Sequence, residues 1–281
     1  MRRTLPALRH AVCNEIFQGC SFAQTAKLIR KAGYTGIEIA PFTLAADPAA
    51  LAPAARRECR DVLASEGLEF AGFHWLLAAP KGLHITTSDS ALRDRSWEYL
   101  RRVIDLCSDL GGGVLVFGSP KQRSSTGGLT PAQAVRNLAE GLAAIAPYAA
   151  ERGTAVLLEA LSPDQTDVVT TLDGAAAIVG EIGHPGVQMV FDTHNAVAEV
   201  EPHEVLLDRH FDLVRHVHVN EMDGRQPGSG SYDFRPVLEV LKRRGYAGWV
   251  SLEVFDVAGD AVEIAAGSLR YLESIAERMG K

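Results

Sequence analysis

Apolar residues along the chain fall into short runs, and the longer stretches between them repeat their apolar positions at helical spacing. Eight runs read as strands: 8–14 (LRHAVCN), 36–40 (GIEIA), 69–74 (EFAGFH), 113–118 (GVLVFG), 154–159 (TAVLLE), 187–192 (VQMVFD), 213–219 (LVRHVHV) and 248–254 (GWVSLEV). The intervening stretches open with helix-capping chemistry, as at Ser21, Ser88 and the pair Thr130-Pro131. Several close at a glycine just ahead of the next strand: Gly33, Gly67, Gly153, Gly183 and Gly245. Strands and helices in strict alternation call for parallel strands joined by right-handed crossovers. No Ser/Pro/Gly-rich linker interrupts the series, so the pattern predicts an α/β fold with one domain over 1–281, a single (β/α)8 TIM barrel rather than a doubly wound sheet.

The less regular stretches are 76–95, 119–130, 160–168 and 222–234, and each follows a strand. That places them at the C-terminal mouth, where such barrels keep their chemistry. The last four strands end in a recurring way: Glu159 closes AVLLE, Asp192 closes VQMVF, His218 lies near the end of HVHV and Glu253 closes WVSL. A strand buried on both faces tolerates a charge only with a partner, and a divalent cation is the simplest partner for three carboxylates together. Three carboxylates and an imidazole make a mostly hard ligand set. It suits one Mn²⁺, or Mg²⁺ or Co²⁺, better than a structural zinc, and it leaves positions open for substrate oxygens. His216 alternates with His218 and reads as a hydrogen-bonded histidine one layer deeper. In the N-terminal half, Glu38 and the pair His74-Trp75 are expected at the mouth, where a histidine and an indole face suit a polar, C–H-rich ring or chain. The segment 118–128 (GSPKQRSSTGG) reads as a mobile mouth loop whose Lys121 and Arg123 are available to an anionic substrate group.

Composition narrows the partners. Against 28 basic residues stand 35 acidic ones, a formal net charge of −7, with no Lys/Arg run, which argues against binding to nucleic acid phosphates. No apolar run approaches the ~18 residues of a membrane span, and the N-terminal segment lacks the apolar stretch of a secretory signal. Cys13, Cys20, Cys59 and Cys107 form no CxxC pair and sit among apolar or helical neighbours, so buried reduced thiols and a cytoplasmic location are expected.

The segments LEALSPDQTD (158–167), FDTHNAVAE (191–199), HVHVNEMDGRQPGSGSYDF (216–234) and GWVSLEVF (248–255) together resemble the xylose-isomerase-like sugar isomerase/epimerase superfamily, most of all its D-tagatose/D-psicose (ketose) 3-epimerase branch. The resemblance implies one divalent metal, commonly Mn²⁺, held by Glu159, Asp192, His218 and Glu253, with Glu159 and Glu253 also exchanging the catalytic proton. It implies substrate contacts from His194, Arg225 and Gln165, and a homo-oligomer, dimer or tetramer. The sequence departs from the family pattern at three places. Gln165 stands where the family has a glutamate, six residues after the first ligand. His194 follows Asp192 by two residues instead of three, which suggests a one-residue deletion in the turn. Gly224 replaces the family's arginine, with Arg225 beside it.

These parts suit proton removal from a carbon next to a carbonyl, through a metal-stabilised enediolate. Return of the proton to the opposite face gives 3-epimerisation of a ketose or keto-sugar. Return to the neighbouring carbon gives an aldose–ketose (or hydroxypyruvate-type) isomerase. A lyase or dehydratase acting on keto-inositols or keto-glycosides uses relatives of the same metal set. An AP-endonuclease-like hydrolase is disfavoured by the acidic charge and by a fourth strand that ends in Phe117-Gly118 instead of a histidine.

Overall fold

In the computed structural model, which describes residues 7–279, eight parallel strands close into a barrel in sequence order: β1 (Arg9–Cys13), β2 (Gly36–Ile39), β3 (Glu69–Phe73), β4 (Gly113–Phe117), β5 (Thr154–Glu159), β6 (Val187–Asp192), β7 (Val214–Val219) and β8 (Trp249–Leu252). Each lies within the run that the apolar pattern marks. β8 pairs with β1, from Arg9 against Trp249 to Val12 against Leu252, so no strand edge is left open.

The outer layer is α1 (Phe22–Lys31), α2 (Pro53–Glu66), α3 (Ser90–Asp109), α4 (Pro120–Arg123), α5 (Pro131–Glu151), α6 (Leu172–Ile182), α7 (His203–His210), α8 (Arg235–Arg243) and α9 (Ala261–Arg278). The cap signals hold at Ser21 and Thr130, each of which forms a reciprocal capping box with a glutamine three residues on. At α3 the cap is Asp89, whose carboxylate accepts from the Leu92 amide, and not Ser88. All five terminating glycines adopt positive φ, from +58° at Gly183 to +101° at Gly33, which reverses the chain into the next strand. One helix has no counterpart in the eightfold alternation: the single turn α4 lies between β4 and α5. Among the described residues no helix is long and apolar enough to cross a membrane.

The main apolar core fills the shell between sheet and helices. Two small clusters separate from it pack the lumen: Ala11, Ala71 and Trp249 form one, and Val116, Leu157 and Val190 the other. Arg9 stacks its guanidinium 3.8 Å over the Trp249 ring at the N-terminal end of the strands. Because side chains alternate along a strand, the lumen face that carries Leu157 and Val190 also carries Glu159 and Asp192 two residues later. The apolar lumen is therefore a floor, and the strand-end acids stand on it.

Two glycines test this packing. A Cβ at Gly186, just before β6, would lie 2.0 Å from the Ala146 carbonyl oxygen of α5, and backbone has little room to yield. A Cβ on Gly180, an exposed position inside α6, would meet nothing within 4 Å. Urea unfolding is expected to show Gly186→Ala less stable by ~1–3 kcal/mol and Gly180→Ala more stable by ~0.5–1 kcal/mol. Equal effects would mean that the close helix–strand approach at Gly186 is not as described.

Candidate active site

The four strand-end residues converge. Glu159, Asp192, His218 and Glu253, all buried, bring one ligand atom each within 4.8 Å of one another. His218 Nδ1 lies 3.0 Å from a Glu253 oxygen, 3.5 Å from Asp192 and 3.8 Å from Glu159. Its other nitrogen, Nε2, approaches both oxygens of Glu38 at 3.0 and 3.1 Å. A carboxylate only accepts, so Nε2 donates to Glu38, and Nδ1 is the nitrogen that faces the acid cluster, where a bound cation would take the place of its proton.

Glu38 itself is fully buried and also accepts from His216 Nε2 at 2.7 Å. The expectation that it lies at the mouth to meet substrate is corrected: a carboxylate two residues into a short strand faces the lumen beneath the ligands, and both its oxygens are committed to histidines. His216 is the deeper, hydrogen-bonded residue that the strand period implies. Burial alone drives the Glu38 carboxyl up, but the two imidazoles outweigh it and hold the group well below the usual carboxylate range.

The acids above behave differently. Burial, then Asp192 and Glu253, push the Glu159 carboxyl well above its ordinary value. Burial raises Glu253 too, against the pull of His218. Asp192 goes down: burial works against the charge, but His218 and the Asn195 amide outweigh it. Such crowding of like charge in a dry site costs about 4 kcal/mol per pair at 4 Å with an effective dielectric of about 20. A buried imidazole nitrogen facing three mutually repelling carboxylates is an environment a divalent cation completes, so the residues present fit a metal.

A small, open-mouthed recess above the cluster is lined by His74, Trp75, Ser119, Glu159, Gln165, Asn195, Glu253 and Phe255, among others. The Trp75 and Phe255 rings meet edge to face at 6.5 Å and wall one side. Trp75 has φ +53°, a left-handed conformation that a bulky side chain rarely adopts, and so holds its indole at the mouth under backbone strain. Gln165 donates to Ser162 Oγ (3.0 Å) and to Asn195 Oδ1 (2.7 Å), which leaves its own amide oxygen free to accept.

Two of the expected substrate contacts stand apart from the recess. Arg225 does not line the recess; it turns outward, 2.7 Å from Asp223, where a partner two residues away is easier to reach than the pocket. His194 also misses the recess, with Nδ1 2.8 Å from the Met222 carbonyl oxygen and its ring against Phe255. The position three residues after Asp192 is occupied by Asn195, whose Nδ2 donates to Glu159 (3.1 Å) and Asp192 (3.3 Å). The spacing is thus kept with an amide in place, and no deletion is needed; that spacing was the signal that could have found it.

Arg123 is likewise corrected. It is not an exposed loop charge: α4 swings it beneath the mouth, where it is completely buried and donates to the carbonyl oxygens of Phe117 (3.1 Å) and Glu159 (2.7 Å). Burial draws the guanidinium down to about 10, and nearby Glu159 opposes the shift. Of the four cysteines, Cys13, Cys59 and Cys107 are buried as expected, whereas Cys20 is exposed.

The model of the xylose isomerase-like TIM barrel family matches residues 26–275. Among curated proteins, the chain is 25% identical to a fructoselysine 3-epimerase of Shigella flexneri over 59% of its own length and 61% of that protein's. It is 28% identical to a ketose 3-epimerase of Arthrobacter globiformis over 70% and 68%. An inosose dehydratase of Yersinia enterocolitica is 25% identical over 58% and 66%. The chain thus aligns with less than two thirds of the length of the fructoselysine 3-epimerase. Its fold superposes on the apo crystal structure of a 3-keto-D-glucoside 4-epimerase from E. coli with a TM-score of 0.83 at 22% identity, over 95% of this chain and 100% of that one. With a closed parallel barrel and a family match running from the first helix into the last, the chain belongs to the xylose isomerase-like TIM barrel family.

Proposed function

We propose that the chain is a divalent-metal-dependent sugar epimerase that inverts a carbon beside the carbonyl of a ketose or keto-glycoside. The observation that carries this reading is the pair Glu159 and Glu253, both members of the metal-competent cluster and both lining the same recess. The curated epimerases to which the chain is similar support it. Glu159, Asp192, His218 and Glu253 would hold the cation, Mn²⁺ before Mg²⁺ or Co²⁺ by the hardness of the set. When bound, it stabilises the negative charge that develops as a C–H bond beside a carbonyl breaks, worth several kcal/mol.

The chain's own residues supply the proton handling. Glu159 and Glu253 both line the recess, so one carboxylate can take a proton from one face of the substrate carbon while the other returns one to the opposite face. Asn195 fixes the Glu159 carboxylate by donating to it. Trp75 and Phe255 present an apolar wall to the C–H face of a sugar, and the Gln165 amide oxygen accepts from a hydroxyl. His74 backs the recess beside Glu253. Similarity to an inosose dehydratase favours a second reading, elimination of water, which begins with the same proton removal.

If the cluster binds metal, chelator-treated protein titrated with Mn²⁺ is expected to gain thermal stability as ligand linkage requires. Asp192→Asn and His218→Ala are each expected to weaken Mn²⁺ binding by about tenfold or more, read by calorimetry. A melting temperature indifferent to saturating Mn²⁺ would count against the site.

The proton assignment is tested by solvent exchange on a panel of ketoses and keto-glycosides, with products resolved as epimers, isomers or dehydration products. In D₂O, Glu159→Gln and Glu253→Gln are each expected to abolish net epimerisation, while metal-loaded variants still exchange deuterium into opposite epimers. If both exchange the same epimer at equal rates, the two-base scheme is wrong. Dehydrated products alone would establish elimination instead.

A further inference from the structure

A second set of ligand-competent atoms lies across Glu253 from the cluster already described. Cys13 ends β1, Glu15 lies in the turn that follows, and His74 follows β3; with Glu253, these four bring one ligand atom each within 4.8 Å of one another. Cys13 and His74 are fully buried, and Glu15 is mostly so. His74, 1% exposed, pairs its Nε2 with a Glu15 oxygen at 2.8 Å, while its Nδ1 stands 3.6 Å from Glu38 without a hydrogen bond. A thiol, an imidazole and two carboxylates gathered in one buried space are a ligand set that a divalent cation can join in place of the proton between His74 and Glu15.

We propose that Cys13, Glu15, His74 and Glu253 form a second cation site, with Glu253 bridging the two ions. A thiolate, an imidazole and two carboxylates form a softer set than the three carboxylates and imidazole of the first site, so the second takes zinc or cobalt in preference to manganese or magnesium. Binding releases the Cys13 proton to solvent, since a metal-bound sulfur is the thiolate. The site rests on the metal-binding reading of the first cluster only through Glu253; Cys13, Glu15 and His74 are its own.

Cobalt(II) separates the two sites, because thiolate ligation gives a near-ultraviolet charge-transfer band that oxygen and imidazole ligands do not. Full-length, reduced, metal-free protein is titrated with Co²⁺, and bound metal is counted by elemental analysis. Two equivalents are expected, with the thiolate band accompanying one of them. Cys13→Ser, which keeps the size of the side chain, is expected to lose the band and one equivalent; His74→Asn is expected to weaken that equivalent at least tenfold. Asp192→Asn is expected to keep the band while it loses the other equivalent. One equivalent without a band in the unaltered protein overturns the second site and leaves the first standing. A band that persists in Cys13→Ser assigns it to another thiol and overturns the proposal, as does a single equivalent whose band vanishes in Asp192→Asn. No bound cobalt at all overturns both sites together.

Discussion

Glu38 sits between two imidazoles at the level where the apolar lumen gives way to chemistry, and the organisation of the mouth depends on it. Its oxygens accept from His216 and His218, so Nε2 of His218 is engaged below and Nδ1 is the nitrogen aimed at Glu159, Asp192 and Glu253. With Nε2 so engaged, Nδ1 is the atom that a cation held by those acids would meet. A carboxylate that touches no substrate thereby decides which face of the ligand ring is available above it.

Around that axis the acids are held from several sides. Asn195 donates to Glu159 and Asp192, and Thr193 and Asn220 lock the ends of β6 and β7 together through hydrogen bonds of 2.6 and 2.9 Å. Arg123 ties the Glu159 carbonyl to that of Phe117, so β4 and β5 end at a fixed height. Repulsion among the carboxylates is thus borne by a rigid frame, and the acids stay together without needing to be individually stable.

The barrel was legible because its strands are buried on both faces and its helices on one, and that difference imprints directly on the order of residues. The four strand-end residues were legible for the same reason: a charge closing an apolar run is conspicuous at Glu159, Asp192 and Glu253. What the sequence concealed are pairings across the lumen. Glu38 and His216 lie 178 positions apart and meet only because β2 and β7 face each other across the barrel. Arg123 carries every mark of an exposed loop cation, and only the extra turn of α4 turns it inward. His194 misled because a histidine is a more conspicuous letter than the asparagine beside it, although it is the asparagine that reaches the acids.

Trp75 has a consequence of a different kind. Its left-handed backbone costs of order 1–3 kcal/mol, and glycine at the same position would remove most of that cost while discarding the indole that walls the recess. Selection for thermal endurance alone would therefore favour a smaller residue here, and any need for a walled recess would oppose it. In a laboratory evolution campaign position 75 is a place where gains in robustness would come with a slackened mouth.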